Sequence, residues 1–396
     1  MTTPSVVRPD SSSQPLEQPM PPGADPDVWN VLVMVAQLQG CDHKPDERAD
    51  LLTRPGFDHG RLVEQAMRHK LIAALADFVT RHGLQEAVPA RLRYPLLTFL
   101  HANQHRSTVL TKEALRVSSA LEQAGIRAAW TKGVVARWSL YGGSDARVFN
   151  DIDLMIAPED RSALQTALIE IGYVPDSRWD HATGSLVPRS RGELRVYQLS
   201  PDHLPHFHLP GPDALVPFIA LDVANSLTWH SSDWQVPMDE VLDARRVLPI
   251  DDDRHLPALS AEHAFLFTCL HLFREGWLDR FTRDSGLALS QFAEVLREWS
   301  RMPVPDREAV RATITAHGLA KPIAWVTGHT DALFTSRITE GLGLVDHADE
   351  AWLSSAMRAD GRPLRWSGDM CAYLRSSVTA RDTGGAGRSR PSSREG

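Results

Sequence analysis

The sequence is poor in the features that would place it outside a cell or in a membrane. It has three cysteines, Cys41, Cys269 and Cys371, far apart in 396 residues. They form no Cys-x-x-Cys pair and no disulfide ladder, so a reducing cytoplasm is the expected home and ordinary buried or idle thiols the expected state. The N-terminus, "MTTPSVVRPDSSSQPLEQPMPPGADP", lacks the apolar segment of a secretory signal. The longest apolar stretch, "HAFLFTCLHLF", is far too short to span a bilayer and carries two histidines. An excess of positive charge is also missing: Lys plus Arg number 42 against 50 Asp plus Glu, a formal net charge of -8. General nucleic-acid binders show a basic face. Bulk nucleic acid is therefore not the expected partner, although the count leaves room for a local basic patch. No internal repeat is present.

What is there suits a sizeable core. At 42% hydrophobic, 396 residues fit two or three domains. Residues 1–25 are rich in Pro and Ser and read as disordered, as does the tail 376–396, "SSVTARDTGGAGRSRPSSREG". The tail's four arginines against two acids fit a solvated end better than a binding arm. Residues 26–109 read as a helical N-terminal domain. There, "VWNVLVMVAQLQ" and "GRLVEQAMRHKLIAALADFV" carry apolar residues at three- and four-residue steps. The stretch from Arg91 to Gly125 reads as one or two helices stopped by that glycine. The texture then changes to a mixed core at 110–257. "IRAAW" and "DIDLMIA" read as strands and "KGVVARWSLYGG" as a turn and short helix. "PEDRSALQTALIEIGY" reads as a helix, "ELRVYQLS" alternates like a strand, and "VPFIALDVA" is a further strand. Residues 258–375 return to helical spacing in "SAEHAFLFTCLHLFREGW", "LALSQFAEVLREW" and "DREAVRATITAHG". The expected fold is α+β: a small mixed-sheet core between two helical domains.

The chemistry centres on "FNDIDLMI", residues 149–156. Alternate side chains of a strand point to opposite faces, so Asp151 and Asp153 share one face and Ile152 takes the other. Like charges side by side repel, and burial sharpens the repulsion, so something positive belongs between them. Upstream, a strand leads into Lys132-Gly133, a short helix runs to Tyr141, and a Gly-containing loop carries Arg147. A glycine at a strand-to-helix turn lets phosphate approach the backbone N–H groups of the helix N-terminus. Two carboxylates on one face suit Mg²⁺, which takes oxygen ligands and keeps substrate phosphates in its shell. Two such metals would clamp both oxygens of an in-line displacement. Lys132 and Arg147 stand where they can neutralise a triphosphate.

These residues, "TKGVVARWSLYGGSDARVFNDIDLMI", resemble the nucleotidyltransferase superfamily with the polymerase-β-like fold. Its usual pattern is a Gly-Gly or Gly-Ser turn, a short helix, an Arg and then Asp-x-Asp. The form here looks most like the uncharacterised bacterial branch in which Lys-Gly replaces the commoner Gly-Ser. The likeness is specific over residues 110–175 and looser through "HLF" near residue 272. Val134 stands where the family commonly has a small polar residue, so Lys132 takes over contact to the phosphates. The 18 positions from Gly133 to Asp151 exceed the compact versions by a few, and the loop "GGSDARVF" absorbs them. The resemblance implies Mg²⁺ on Asp151 and Asp153, with Lys132, Gly133 and Arg147 on the triphosphate. It also implies a third carboxylate from a later strand, as metal ligand or general base. Asp222 in "FIALDVANSL" is the candidate and Glu193 the reserve; a helix N-cap is the bland alternative for Asp222.

Other readings of the pair exist. Phosphatases of the haloacid dehalogenase type place it at the C-terminal end of a strand, whereas here it opens one. Glycosyltransferases that hold Mn²⁺ with Asp-x-Asp place a strand-rich nucleotide-binding fold upstream, whereas here the upstream region is helical. A solvated pair of aspartates, or a non-catalytic regulatory binder on the same fold, completes the set. "DHLPHFHLP" brings His203, His206 and His208 together as a metal site, as an acceptor or nucleotide contact, or as surface histidines on a loop that its prolines make exposed. His263 and His271 lie eight apart on one helix and read as packing. Trp130 could stack on a base but reads better as core. The expected activity is transfer of a nucleoside monophosphate, AMP from ATP, to a small-molecule, peptide or protein acceptor, with release of pyrophosphate.

Overall fold

The computed structural model describes residues 25–37, 47–199, 202–229, 232–278, 286–358, 361–365 and 370–375. Cys41, the Pro- and Ser-rich N-terminus and the tail from Ser376 lie outside the described residues. Four helices open the chain: α1 (Pro26–Gln37), α2 (His59–Arg68), α3 (Ile72–Arg81) and α4 (Ala90–Gln123). The stretch read as one or two helices is a single one of 34 residues. It stops as the sequence expects. Gly125 takes φ +70°, its N–H reaches Glu122 O, and the Ile126 N–H reaches Leu121 O, which together cap the last turn.

The mixed segment follows. It contains β1 (Ala128–Thr131), α5 (Lys132–Ser139), β2 (Asp151–Ile156), α6 (Arg161–Glu170), the hairpin β3 (Ser177–Asp180) and β4 (Ser185–Pro188), and α7 (Arg191–Leu199). Then come β5 (Phe207–Asp213), β6 (Val216–Ala224), α8 (Met238–Asp243), β7 (Arg246–Pro249) and β8 (His255–Ala258). Six of these strands form one mixed sheet in the order β5-β6-β2-β1-β8-β7. The pairs β2–β6 and β1–β8 are parallel; β1–β2, β5–β6 and β7–β8 are antiparallel. Helices α9 (Ala261–Trp277), α10 (Leu289–Arg301), α11 (Val304–Ala316) and α12 (Ala320–Phe334) follow, with short elements after them. The fold is the expected mixed sheet flanked by helices on both sides in sequence. No helix among the described residues is long and apolar enough to cross a membrane.

The sheet separates two apolar clusters, and the separation follows from strand alternation. Trp130, Ile152, Leu154, Ile156, Leu221 and Val223 join Leu110, Ala114, Val117 and Leu121 of α4 in one cluster. Ala129, Met155 and Ala224, on the opposite face, join the other, which also gathers residues of α1–α3 and α9–α12. Asp151, Asp153 and Asp222 share the parity of that second face. The sheet therefore turns its acidic side toward the C-terminal helices.

One reading needs correction. "ELRVYQL", residues 193–199, is not a strand but lies in α7; Ser200 is outside the described residues. A capping box drives it into a helix. Glu193 Oε2 accepts from the Ser190 N–H at 2.8 Å, and Ser190 Oγ accepts from the Glu193 N–H at 3.3 Å.

Candidate active site

Short segments bring the candidate residues together. Strand β1 ends at Thr131, which pairs with Asp153 across the antiparallel ladder, and α5 begins at the next residue. Lys132 therefore starts a helix at the edge of the acidic face. Its backbone holds φ +44°, a left-handed conformation that a side-chain-bearing residue adopts only under constraint. On the other flank, β2 and β6 run parallel with Asp153 opposite Asp222. The third carboxylate thus arrives by register, in mid-strand and not as a helix cap.

The loop between α5 and β2 is held from below by α4. Asn103 Nδ2 donates to Asp145 O at 2.7 Å and Arg147 O at 2.9 Å. Ser107 Oγ and Arg137 both reach Asp145 Oδ1, at 2.7 and 2.9 Å. The loop's backbone and one carboxylate take up these buried donors, which fixes the entry angle of β2. The space beside Gly133 is taken by Phe149: a Cβ there would lie 2.9 Å from its Cδ2. Glycine is required at this point for the ring as well as for any ligand.

The electrostatics are those of crowded carboxylates around one ammonium. Lys132 Nζ donates to Asp153 Oδ1 at 3.0 Å. Burial pulls the ammonium down, but Asp153 and Asp222 outweigh it and hold it above its ordinary value. Burial and then the neighbouring Asp153 push the Asp151 carboxyl up to about 6, against the pull of Lys132. Asp222 goes the other way. Burial raises it, yet the His203 ring, His206 and Lys132 prevail and hold it well below the carboxylate range. Its Oδ1 lies 3.6 Å from His203 Nδ1 and 3.5 Å from His206 Nε2, distances too long for firm hydrogen bonds. That oxygen is buried and has no hydrogen-bond donor.

A cavity of about 650 Å³ opens on this cluster between α5, the start of β2, α9 and α10. Lys132, Gly133, Arg147, Asp151 and Asp153 line it; Asp222, beside Asp153 on β6, does not. The guanidinium of Arg147 is already engaged by Glu294 of α10, with Nε–Oε1 at 2.8 Å and a second bond at 3.1 Å. Burial lowers Arg147, but the Glu294 carboxylate more than reverses it. Glu298 sits one turn further on. Its Oε1 accepts from Thr268 Oγ1 at 3.0 Å, its Oε2 is buried without a donor, and burial with Glu294 nearby pushes it up to about 8.

The reserve carboxylate, Glu193, is occupied in the α7 cap and in a long pair with Arg178, away from the sheet. The histidines are not on an exposed loop: His208 enters β5 and is buried, while His203 and His206 flank Asp222. Burial pushes His208 down to about 4, and it faces Ser177. His263 is buried against Ser260, as packing predicts, whereas His271 pairs with Glu275 on the cavity wall. Trp130 is core, with its indole N–H on Ser118. Sequence reading missed Glu294, Glu298, Thr268 and Phe267. Each comes from a helix more than a hundred residues beyond the motif, and no spacing announces it.

The carboxylates of Asp151, Asp153 and Asp222 offer oxygen ligands, which fits Mg²⁺ in chemistry, and Asp222 Oδ1, with His203 and His206 nearby, is buried without a hydrogen bond. Among the described residues, no three His, Cys, Asp or Glu side chains already converge as a metal cage. A family model described as "Uncharacterised nucleotidyltransferase" matches residues 55–335. No protein of curated function matches the chain. With most of its length covered, the chain belongs to that nucleotidyltransferase family and is a transferase of phosphorus-containing groups.

Proposed function

With family membership as the premise, we propose that this nucleotidyltransferase moves a nucleoside monophosphate, AMP from ATP, to a small-molecule, peptide or protein acceptor and releases pyrophosphate. The observation that carries this reading is the register of Asp153 against Asp222, with Asp151 on the same face and Lys132 beside them at the mouth of a cavity. Asp151, Asp153 and Asp222 would hold Mg²⁺, whose part is to bind triphosphate oxygens and draw off the charge that develops at the α-phosphorus. Lys132 and Gly133 offer an ammonium and the N-terminus of α5 to the triphosphate. Arg147 gives its Nε–Nη2 side to Glu294, so its charge at the wall is already paired. Asp222, held strongly ionised, suits a ligand role better than that of a proton acceptor.

The net charge of -8 and a cavity of about 650 Å³ favour a compact acceptor over bulk nucleic acid. Calorimetry with each NTP, with Mg²⁺ and with chelator, tests the donor half on wild type and on Asp151→Asn/Asp153→Asn. The expected result is Mg²⁺-dependent binding that the double variant loses. Absence of nucleotide binding, or binding indifferent to both aspartates, sinks the reading. Pyrophosphate release with an acceptor then separates the enzyme from a non-catalytic binder on the same fold.

A further inference from the structure

Lys132 occupies the place where a metal-binding site would least tolerate a fixed positive charge. Its Nζ is 3.0 Å from Asp153 Oδ1, and its other side faces the Phe267 ring, 5.1 Å from the centroid. The backbone beneath it is strained at φ +44°, where glycine would be at ease. A lysine held in a glycine-type conformation, with its ammonium on a buried carboxylate, is a constrained arrangement.

The charge count shows what the arrangement does. Asp151, Asp153 and Asp222 face the Lys132 ammonium, and His203 and His206 stand beside Asp222, so the Asp151–Asp153 end of the cluster stays net negative and invites a further cation. A bare divalent ion entering here has to displace the ammonium from Asp153. That would take from a largely buried lysine the carboxylate it is hydrogen-bonded to, which is unfavourable. A metal that arrives with a triphosphate brings its own remedy. Lys132 is the first residue of α5, and phosphate oxygens at that helix N-terminus give its side chain a new anion within reach.

We propose that Lys132 is the resident counter-ion of the carboxylate cluster: it excludes a free divalent cation and admits the metal only as its complex with a triphosphate, which draws the ammonium off Asp153. The inference rests on the nucleotidyltransferase reading of this site.

Mn²⁺ binding followed by electron paramagnetic resonance tests it. The full chain, Lys132→Met and Lys132→Arg are compared with and without a non-hydrolysable ATP analogue. Without nucleotide, Lys132→Met is expected to bind Mn²⁺ about tenfold or more tightly than wild type, since a nearby like charge has gone. Lys132→Arg should stay as weak as wild type, and wild type should gain affinity when the analogue is added. Equal affinity of wild type and Lys132→Met for Mn²⁺ alone overturns the counter-ion role, even where wild type takes up metal with nucleotide and the enzyme reading stands. Failure of wild type to bind Mn²⁺ with the analogue overturns both. If Lys132→Met unfolds in chelator, Mn²⁺ alone must restore its melting transition; no restoration also overturns the proposal.

Discussion

Asp153 and Asp222 sit in register on the parallel strands β2 and β6, 69 positions apart in the chain and side by side in the sheet. Their environments differ even so. Asp153 carries the Lys132 ammonium, and Asp222 has two imidazoles near one unsatisfied oxygen. Asp151, at the mouth, receives the least help, and its carboxyl rises to about 6. A site that strains its own carboxylates in this way gives up folding free energy for function.

Asp151 therefore has a stability signature. Its folded pKa lies above the unfolded value of about 3.9, so the folded state binds the proton more tightly. The stabilisation is present below that unfolded value and is lost as pH rises toward 6. Asp151→Asn is expected to be more stable than wild type at pH 7 in chelator, by on the order of 2 kcal/mol, with the difference shrinking toward pH 4. Thermal unfolding across that range measures it. Pyrophosphate release by the same variant should fall about a hundredfold or more. A variant less stable than wild type at pH 7 would contradict the crowding described here.

Glu298 makes the same argument deeper in the cavity and without any proposed ligand role. It is pushed up to about 8 by burial and by Glu294. Its contribution is full below the unfolded value of about 4.3 and fades as pH climbs through 8. Glu298→Gln keeps the hydrogen bond with Thr268 and removes the charge. It is expected to match wild type near pH 5 and to exceed it at pH 9 by on the order of 3 kcal/mol. Parallel urea titrations at the two pH values decide the matter; curves that shift together at both show that Glu298 does not titrate as described.

The fold and the local half of the candidate site were legible because they are local. "DIDLMI" announces a strand with both aspartates on one face, and "KGVVARWS" announces the helix in front of it. Asp222 stands out in the sequence as an acid alone in an apolar run, and β6 sets it beside Asp153. The signal for α7 was also present, in Ser190 and Glu193 at capping-box spacing, but the alternation of "ELRVYQLS" competed with it and misled. The engagement of Arg147 was not legible. Its partner Glu294 is 147 positions away on α10, and only the packing of the C-terminal helices against the sheet supplies it.

That pair yields a third prediction. The Arg147 guanidinium and Glu294 carboxylate are both largely buried, with side chains 13% and 18% exposed. Removing the charge of one partner leaves the other uncompensated. Glu294→Gln is expected to lower stability by about 3 kcal/mol in chemical denaturation. NTP affinity should hold or rise, because the freed guanidinium can turn to phosphate. Weakened nucleotide binding at full stability would show instead that Glu294 itself touches the nucleotide.

Gly133 and Phe149 test whether the loop into β2 is positioned by packing. A Cβ at residue 133 would approach Phe149 Cδ2 to 2.9 Å and two further ring-side atoms to 3.1 Å, so either the ring or α5 must give way. Phe149 is two residues before Asp151, and its displacement moves the acidic strand. Gly133→Ala alone is expected to cost about 1–3 kcal/mol and to weaken NTP binding. Phe149→Leu removes the ring edge that the new methyl meets. The double variant should then recover part of the stability that the two single changes lose together, a coupling of about 1 kcal/mol in a double-mutant cycle. The nucleotide readout separates packing from phosphate contact. If the clash is the whole cause, binding recovers along with stability. If binding stays weak while stability returns, the open space at Gly133 is itself used by the triphosphate.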